Sequence, residues 1–203
     1  MRLKDEFENT IEIERSEFIC YLKKVLNEQE ARDYINTIKK LHPDATHHCT
    51  AFIIGEHDEI QRSSDDGEPS GTAGVPMLQA LKNSHLQDVC AVVVRYFGGI
   101  KLGAGGLVRA YTRSVAEAVL KAPKVKPVKG KVYSFSFSYD LIGKLDYLLK
   151  DCCMILDKQY EEQVTYQFYT TDETIQNKIQ EWTSGHYQAV YLEDRIIEVD
   201  IDE

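Results

Sequence analysis

"DVCAVVVRYFGGIKLGAGGLVRAYTRSVAEAVLKAP", residues 88–123, holds the transition that decides the fold. The β-branched run up to Phe97 reads as a strand buried on both faces, and the segment from Gly103 to the stop at Pro123 reads as a helix. On that helix Leu107, Tyr111, Val115 and Ala118 form an apolar stripe, while Arg109 and Arg113 lie one turn apart on another face. Between strand and helix the chain is rich in glycine.

That turn fails two nucleotide fingerprints. Counting from Gly103, the third glycine of a dinucleotide loop falls on Val108, and after the Walker spacing Gly98 to Gly103 the required Lys and Ser or Thr are Ala104 and Gly105. What survives is a glycine turn (Gly98, Gly99, Gly103) leading into a helix start, with Arg95, Lys101, Arg109 and Arg113 nearby. A helix start offers free N–H groups and positive partial charge, so these seven residues are the candidate anion or nucleic-acid site.

Upstream, a strand over 16–26 leads to a helix opened by Asn27 and Glu30 in capping-box fashion and ended by Pro43. "HHCTAFIIG" (47–55) reads as a strand and "VPMLQALKNS" (75–84) as a helix. The polar stretch "EHDEIQRSSDDGEPSGTAG" (56–74) reads as a long loop of the kind that carries function, with Asp65, Asp66 and Glu68 as its candidates. They either join the arginines in a site or neutralise them.

No metal site is expected. His47 and Cys49 fall on one strand face and His48 on the other, and no HExxH-type spacing occurs. No catalytic residue is assigned either: "GEPSG" is not a nucleophile elbow, and Cys152 and Cys153 read as buried thiols. The expectation is a protein without a cofactor.

"KAPKVKPVKGK" (121–131) reads as a linker and divides the chain into domains 1–125 and 126–203. Beyond it, "VYSFSFSYD" alternates as a half-buried strand, and the order of the remaining segments is βαββαβ, the ferredoxin-like pattern. The fold class is therefore α+β.

The formal charge is −9, split unevenly: residues 1–125 carry 16 basic and 18 acidic side chains, and residues 126–203 carry 8 and 15. Bulk electrostatics thus exclude a protein that coats DNA or an anionic membrane, and any anionic partner meets a local patch in the first part. The start lacks a signal-peptide core, no apolar run reaches membrane-spanning length, and the 5 cysteines show no CxxC spacing. These features point to the cytoplasm.

The motifs "HHCTAF", "DDGEPSGTAG" and "VVVRYFGGIKLGAGGLVRAY" resemble the IMPACT family in its bacterial form. The resemblance implies a first domain similar to domain IV of elongation factor G and to a ribosomal-protein-like fold, followed by a ferredoxin-like domain similar to domain V of that factor. It also implies a role in translation control or stress response, and it brings no catalytic residue. The motif positions are His48, Cys49, Gly67, Glu68, Pro69, Gly71, Gly74, Arg95, Tyr96, Phe97, Gly98, Gly99, Gly103 and Arg109. The reading is a non-enzymatic regulator binding RNA or a ribosome-associated surface. Its alternatives are a protein-docking regulator of translation and a phosphate- or nucleotide-binding enzyme related by fold to small-molecule kinases.

Overall fold

In a computed structural model describing residues 1–201, the chain divides into two units, one spanning Met1–Lys126 and joined by Asp200 and Ile201, the other spanning Pro127–Val199. The first contains β1 (Arg2–Leu3), β2 (Phe7–Ile13), β3 (Ser16–Lys24), α1 (Glu28–Leu41), β4 (His47–Ile54), β5 (Ile60–Ser64), α2 (Gly74–Asn83), β6 (Val89–Tyr96) and α3 (Gly103–Lys121).

Five of these strands form an antiparallel sheet in the order β2-β3-β6-β4-β5. Alternation along the central strands then builds two cores. Val89, Ala91 and Val93 of β6 join Phe18, Cys20, Cys49 and Ala51 beneath α2 and α3. Cys90, Val92 and Val94 face the other way, against Ala31, Tyr34 and Ile38 of α1. β6 is thus buried on both faces, as its valine run requires.

Local signals explain the helix limits. Asn27 Oδ1 accepts the Glu30 amide at 2.9 Å, and Glu30 Oε2 reaches back to the Leu26 amide at 2.8 Å, so the start of α1 is held from both sides. His42 caps its end just before Pro43.

Of two further strands, β5 lies in the segment read as a loop and β2 in one to which no element was assigned. β2 and β5 are the edges of the sheet: β5 is mostly polar and exposed, whereas β2 alternates, turning Phe7, Ile11 and Ile13 toward the core and its acids outward. The expected linker over 121–131 is also corrected: residues from Lys124 onward are the first half of one 14-residue strand, β7 (Lys124–Phe137). Its first residues pair with β1, which supplies the hydrogen bonding that an isolated Lys/Pro-rich segment would lack.

The second unit continues from β7 through a 3₁₀ turn (Tyr139–Leu141) to α4 (Ile142–Leu149), β8 (Met154–Tyr160), β9 (Val164–Thr170), α5 (Ile175–Trp182) and β10 (Val190–Asp200). β9 lies between β7 and β8, and β10 pairs with β7, giving the order β10-β7-β9-β8. That is the ferredoxin-like arrangement. Phe135, Phe137, Tyr166 and Phe168 pack with Leu145, Leu149, Ile175 and Ile179 as its core.

Candidate nucleic-acid interface

The candidate residues gather at one end of the first unit, where β6 passes through the turn 97–102 into α3. The sheet register places Arg95 opposite Phe18 on one side and His47 on the other, so these three residues form a row under α3.

Arg95 is only 5% exposed, and its Nη1 donates to Glu68 Oε1 at 2.6 Å. The same carboxylate oxygen accepts from Tyr111 Oη at 2.8 Å, while Glu68 Oε2 lies 3.7 Å from His47 Nε2. The guanidinium also lies beside two aromatic rings, 5.3 Å from the Phe18 centroid and 5.6 Å from that of Phe97. Arg95 is therefore removed from the surface set: a cation locked beneath α3 by a buried carboxylate does not reach a phosphate outside. Its Nε remains unpaired and buried.

The acidic loop divides its roles among three partners. Glu68 takes Arg95. Asp66 takes Lys39 at 2.8 Å and the His48 amide at 2.7 Å. Asp65 accepts from the Gly71, Ala73 and Gly74 amides at 2.8, 3.0 and 2.8 Å and so caps the start of α2. Among the described residues, no member of this trio pairs with Lys101, Arg109 or Arg113.

Burial pushes the Asp65 carboxyl up, and the three amide hydrogen bonds together outweigh it, leaving its pKa below the ordinary 3.8. Its stabilisation is then complete above the unfolded-state pKa and is lost as pH falls through the depressed folded value. Asp65→Ala should cost about 1–2 kcal/mol at neutral pH. The difference from the unmodified chain should shrink as pH drops below 3.8, which urea midpoints followed by far-UV circular dichroism from pH 7 to pH 3 would show.

The remaining cations are outside. Lys101, Arg109 and Arg113 line a groove of about 600 Å³ with Ile13, Ile100 and one acid, Glu14. Arg113 Nε donates to Glu117 at 2.6 Å, one helical turn on. Lys101 and Arg109 are exposed and have no ion-pair partner among the described residues.

Of the neighbouring aromatics, only Phe97 offers a free ring, at 46% exposure. Tyr111 is fully buried, and burial together with Cys49 and Glu68 pushes its hydroxyl pKa up. Tyr96 is held by His42 Nδ1 at 2.9 Å on the opposite face of the sheet.

The glycines serve different ends. A Cβ on Gly98 would lie 1.9 Å from the Arg15 carbonyl oxygen in the β2–β3 turn, so this position admits close backbone contact. Gly99 and Gly103 have φ of +87° and +68°, the left-handed region that lets the chain swing from β6 into α3. With Gly105 and Gly106 also in the first turn, the opening of α3 carries little side-chain cover.

The cluster at Glu68 contains no activated nucleophile. Cys49 is buried, which pushes its thiol up to about 12, and its Sγ donates to the Asp65 carbonyl at 3.0 Å. No group of three metal-ligating side chains occurs among the described residues. No helix among them is long and apolar enough to cross a membrane.

Strand alternation signals only that His47 and Cys49 share a face; the register across β3, β6 and β4 is what adds Phe18 and Arg95 to it. Ser16 was not singled out. Its hydroxyl accepts from the Gly98 amide at 3.2 Å and from Arg95 Nη2 at 3.4 Å, linking the buried pair to the glycine turn.

Residues 14–119 match the model of the Impact N-terminal domain, and residues 135–186 match a domain of unknown function, DUF1949. IMPACT family member YvyE of Bacillus subtilis (strain 168) is 48% identical over 181 residues, covering 89% of this chain and 83% of its own. IMPACT family member YigZ of Escherichia coli (strain K12) is 40% identical over 143 residues, 70% of each chain. Among solved structures, a crystal structure of a hypothetical protein aligns with a TM-score of 0.61 at 31% identity, over 95% of this chain and 96% of the other.

Proposed function

Because this chain belongs to the IMPACT family, we propose that it is a non-enzymatic, translation-linked regulator that binds RNA, free or at a ribosome-associated surface, through the turn and helix start at residues 97–113. The observation that carries this reading is the sorting of its cations. Arg95 is neutralised inside, while Lys101 and Arg109 lie in an open groove with no ion-pair partner among the described residues.

The chemistry suits a flexible polyanion. Lys101 and Arg109 supply phosphate contacts, and the bare opening of α3 brings partial positive charge to the same end. Phe97 offers a stacking face whose ring lies beside the Arg95 guanidinium, itself fixed by Glu68. Single-stranded RNA satisfies both demands, whereas a regular duplex hides its base faces.

The overall charge of −9 confines binding to this patch, so affinity should be modest and salt-sensitive. Two phosphate contacts give a slope of about −1.4 in log K against log salt, or roughly a sevenfold loss between 50 and 200 mM. Fluorescence anisotropy with labelled single-stranded RNA reads this directly, and ribosome co-sedimentation tests the assembled target. Binding indifferent to salt contradicts the proposal. A partner recovered from lysate equally well after nuclease treatment favours protein docking.

A further inference from the structure

The second unit holds a pair of thiols in an arrangement that ordinary chain geometry does not give. Adjacent residues in a strand point to opposite faces. Cys152 and Cys153 instead occupy the turn between α4 and β8, where both amides donate to the Leu149 carbonyl, at 3.2 and 2.9 Å. The turn brings the two Sγ atoms to 3.6 Å, and both side chains remain partly accessible. The other three cysteines, Cys20, Cys49 and Cys90, are fully buried.

Burial, the neighbouring Cys152 and Asp172 push the Cys153 thiol pKa up, and the Lys178 ammonium, itself paired with Asp172 at 2.6 Å, is the nearby positive charge that opposes them. Thr170 Oγ1 donates to the Cys152 carbonyl at 2.7 Å and ties the turn to β9. Closing the pair requires the sulfurs to approach to about 2 Å between Cα atoms that the intervening trans peptide holds about 3.8 Å apart, closer than the usual disulfide span, so the bond formed is strained and readily reduced again.

We propose that Cys152 and Cys153 form a redox-active vicinal dithiol that exchanges with low-molecular-weight disulfides. In the first step one cysteine thiolate attacks the disulfide R–S–S–R, forming a protein–S–S–R bond and releasing one thiolate, which takes up the proton lost by the cysteine. In the second, the neighbouring thiolate attacks the protein sulfur of that mixed disulfide and expels the second RS⁻, which takes up the proton that the neighbouring cysteine has lost. The dithiol loses two electrons and two protons, and the small disulfide is reduced to two thiols.

The test is intact-mass analysis of the native full-length chain after incubation with oxidised glutathione, beside Cys152→Ser, Cys153→Ser and the double variant. The unmodified chain should lose two hydrogens without retaining glutathione, peptide mapping should link residues 152 and 153, and a dithiol reductant should reverse the change. Each single variant should stop at a stable mixed disulfide, because the resolving sulfur is gone. An unchanged mass, a lasting glutathione adduct on the unmodified chain, or equal loss of hydrogens from the double variant would overturn the proposal.

Discussion

Glu68→Ala should lower the stability of the first unit by about 3–5 kcal/mol, the cost of leaving a buried cation without its partner. The substitution removes the only carboxylate paired with Arg95 among the described residues and leaves the Tyr111 hydroxyl with the Cys49 side chain as its partner. Both groups are buried, Arg95 at 5% exposure and Tyr111 fully. Glu68→Gln should cost less, because an amide oxygen still accepts a hydrogen bond. Pairing Glu68→Ala with Arg95→Met should restore part of the loss by removing the orphaned charge. The probe matters here: the single tryptophan, Trp182, belongs to the second unit, so its emission follows the other transition. Hydrogen exchange at the Val92–Val94 amides reports the first. A loss under about 1 kcal/mol would mean that the buried pair does not hold this end of the sheet together.

Gly98→Ala should be the other severe change, at roughly 2–3 kcal/mol. Its new methyl group would meet the Arg15 carbonyl at 1.9 Å and the Ser16 amide nitrogen at 2.5 Å, both backbone atoms of the adjoining turn and strand start. Backbone gives way only by shifting the β2–β3 turn away from residue 98, which also breaks the Gly98 to Ser16 hydrogen bond. Gly105→Ala is the contrasting case, because the nearest atom is the end of the mobile Arg109 side chain at 3.5 Å. Alanine there should be neutral or stabilising by about 0.5–1 kcal/mol. Thermal unfolding of the two variants side by side separates steric necessity from mere glycine richness.

Much of the architecture was legible because it depends on local pattern. The valine run of β6, the apolar stripe of α3 and the Asn27 and Glu30 cap are short-range signals, and the βαββαβ order of the second unit follows from a succession of such segments. β5 was hidden because this edge strand carries polar side chains that mimic a loop, whereas the alternation of Phe7, Ile11 and Ile13 in β2 was legible and was not read. The Lys/Pro-rich stretch misled for a related reason: pairing with β1, more than a hundred residues upstream, makes it a strand.

The site was legible in composition and not in assignment. Asp65, Asp66 and Glu68 lie within four residues, yet one caps a helix, one holds Lys39 and the His48 amide, and one is buried on Arg95. Their partners come from separate elements, so no local reading distinguishes them. Arg95 looked like its neighbours Lys101 and Arg109 until the strand alternation was combined with the position of α3. Its odd-numbered place in β6 points it inward, with its guanidinium 5.6 Å from the Phe97 ring.

The central claim is that the exposed groove cations, and not the buried one, meet the nucleic acid. The most direct measurement is the affinity of Lys101→Ala/Arg109→Ala for labelled single-stranded RNA, with hydrogen exchange showing that the first unit stays folded. Affinity should fall by at least about tenfold, and the salt slope should flatten by about 1.4. A folded double variant that binds with unchanged affinity and unchanged salt dependence would contradict the account.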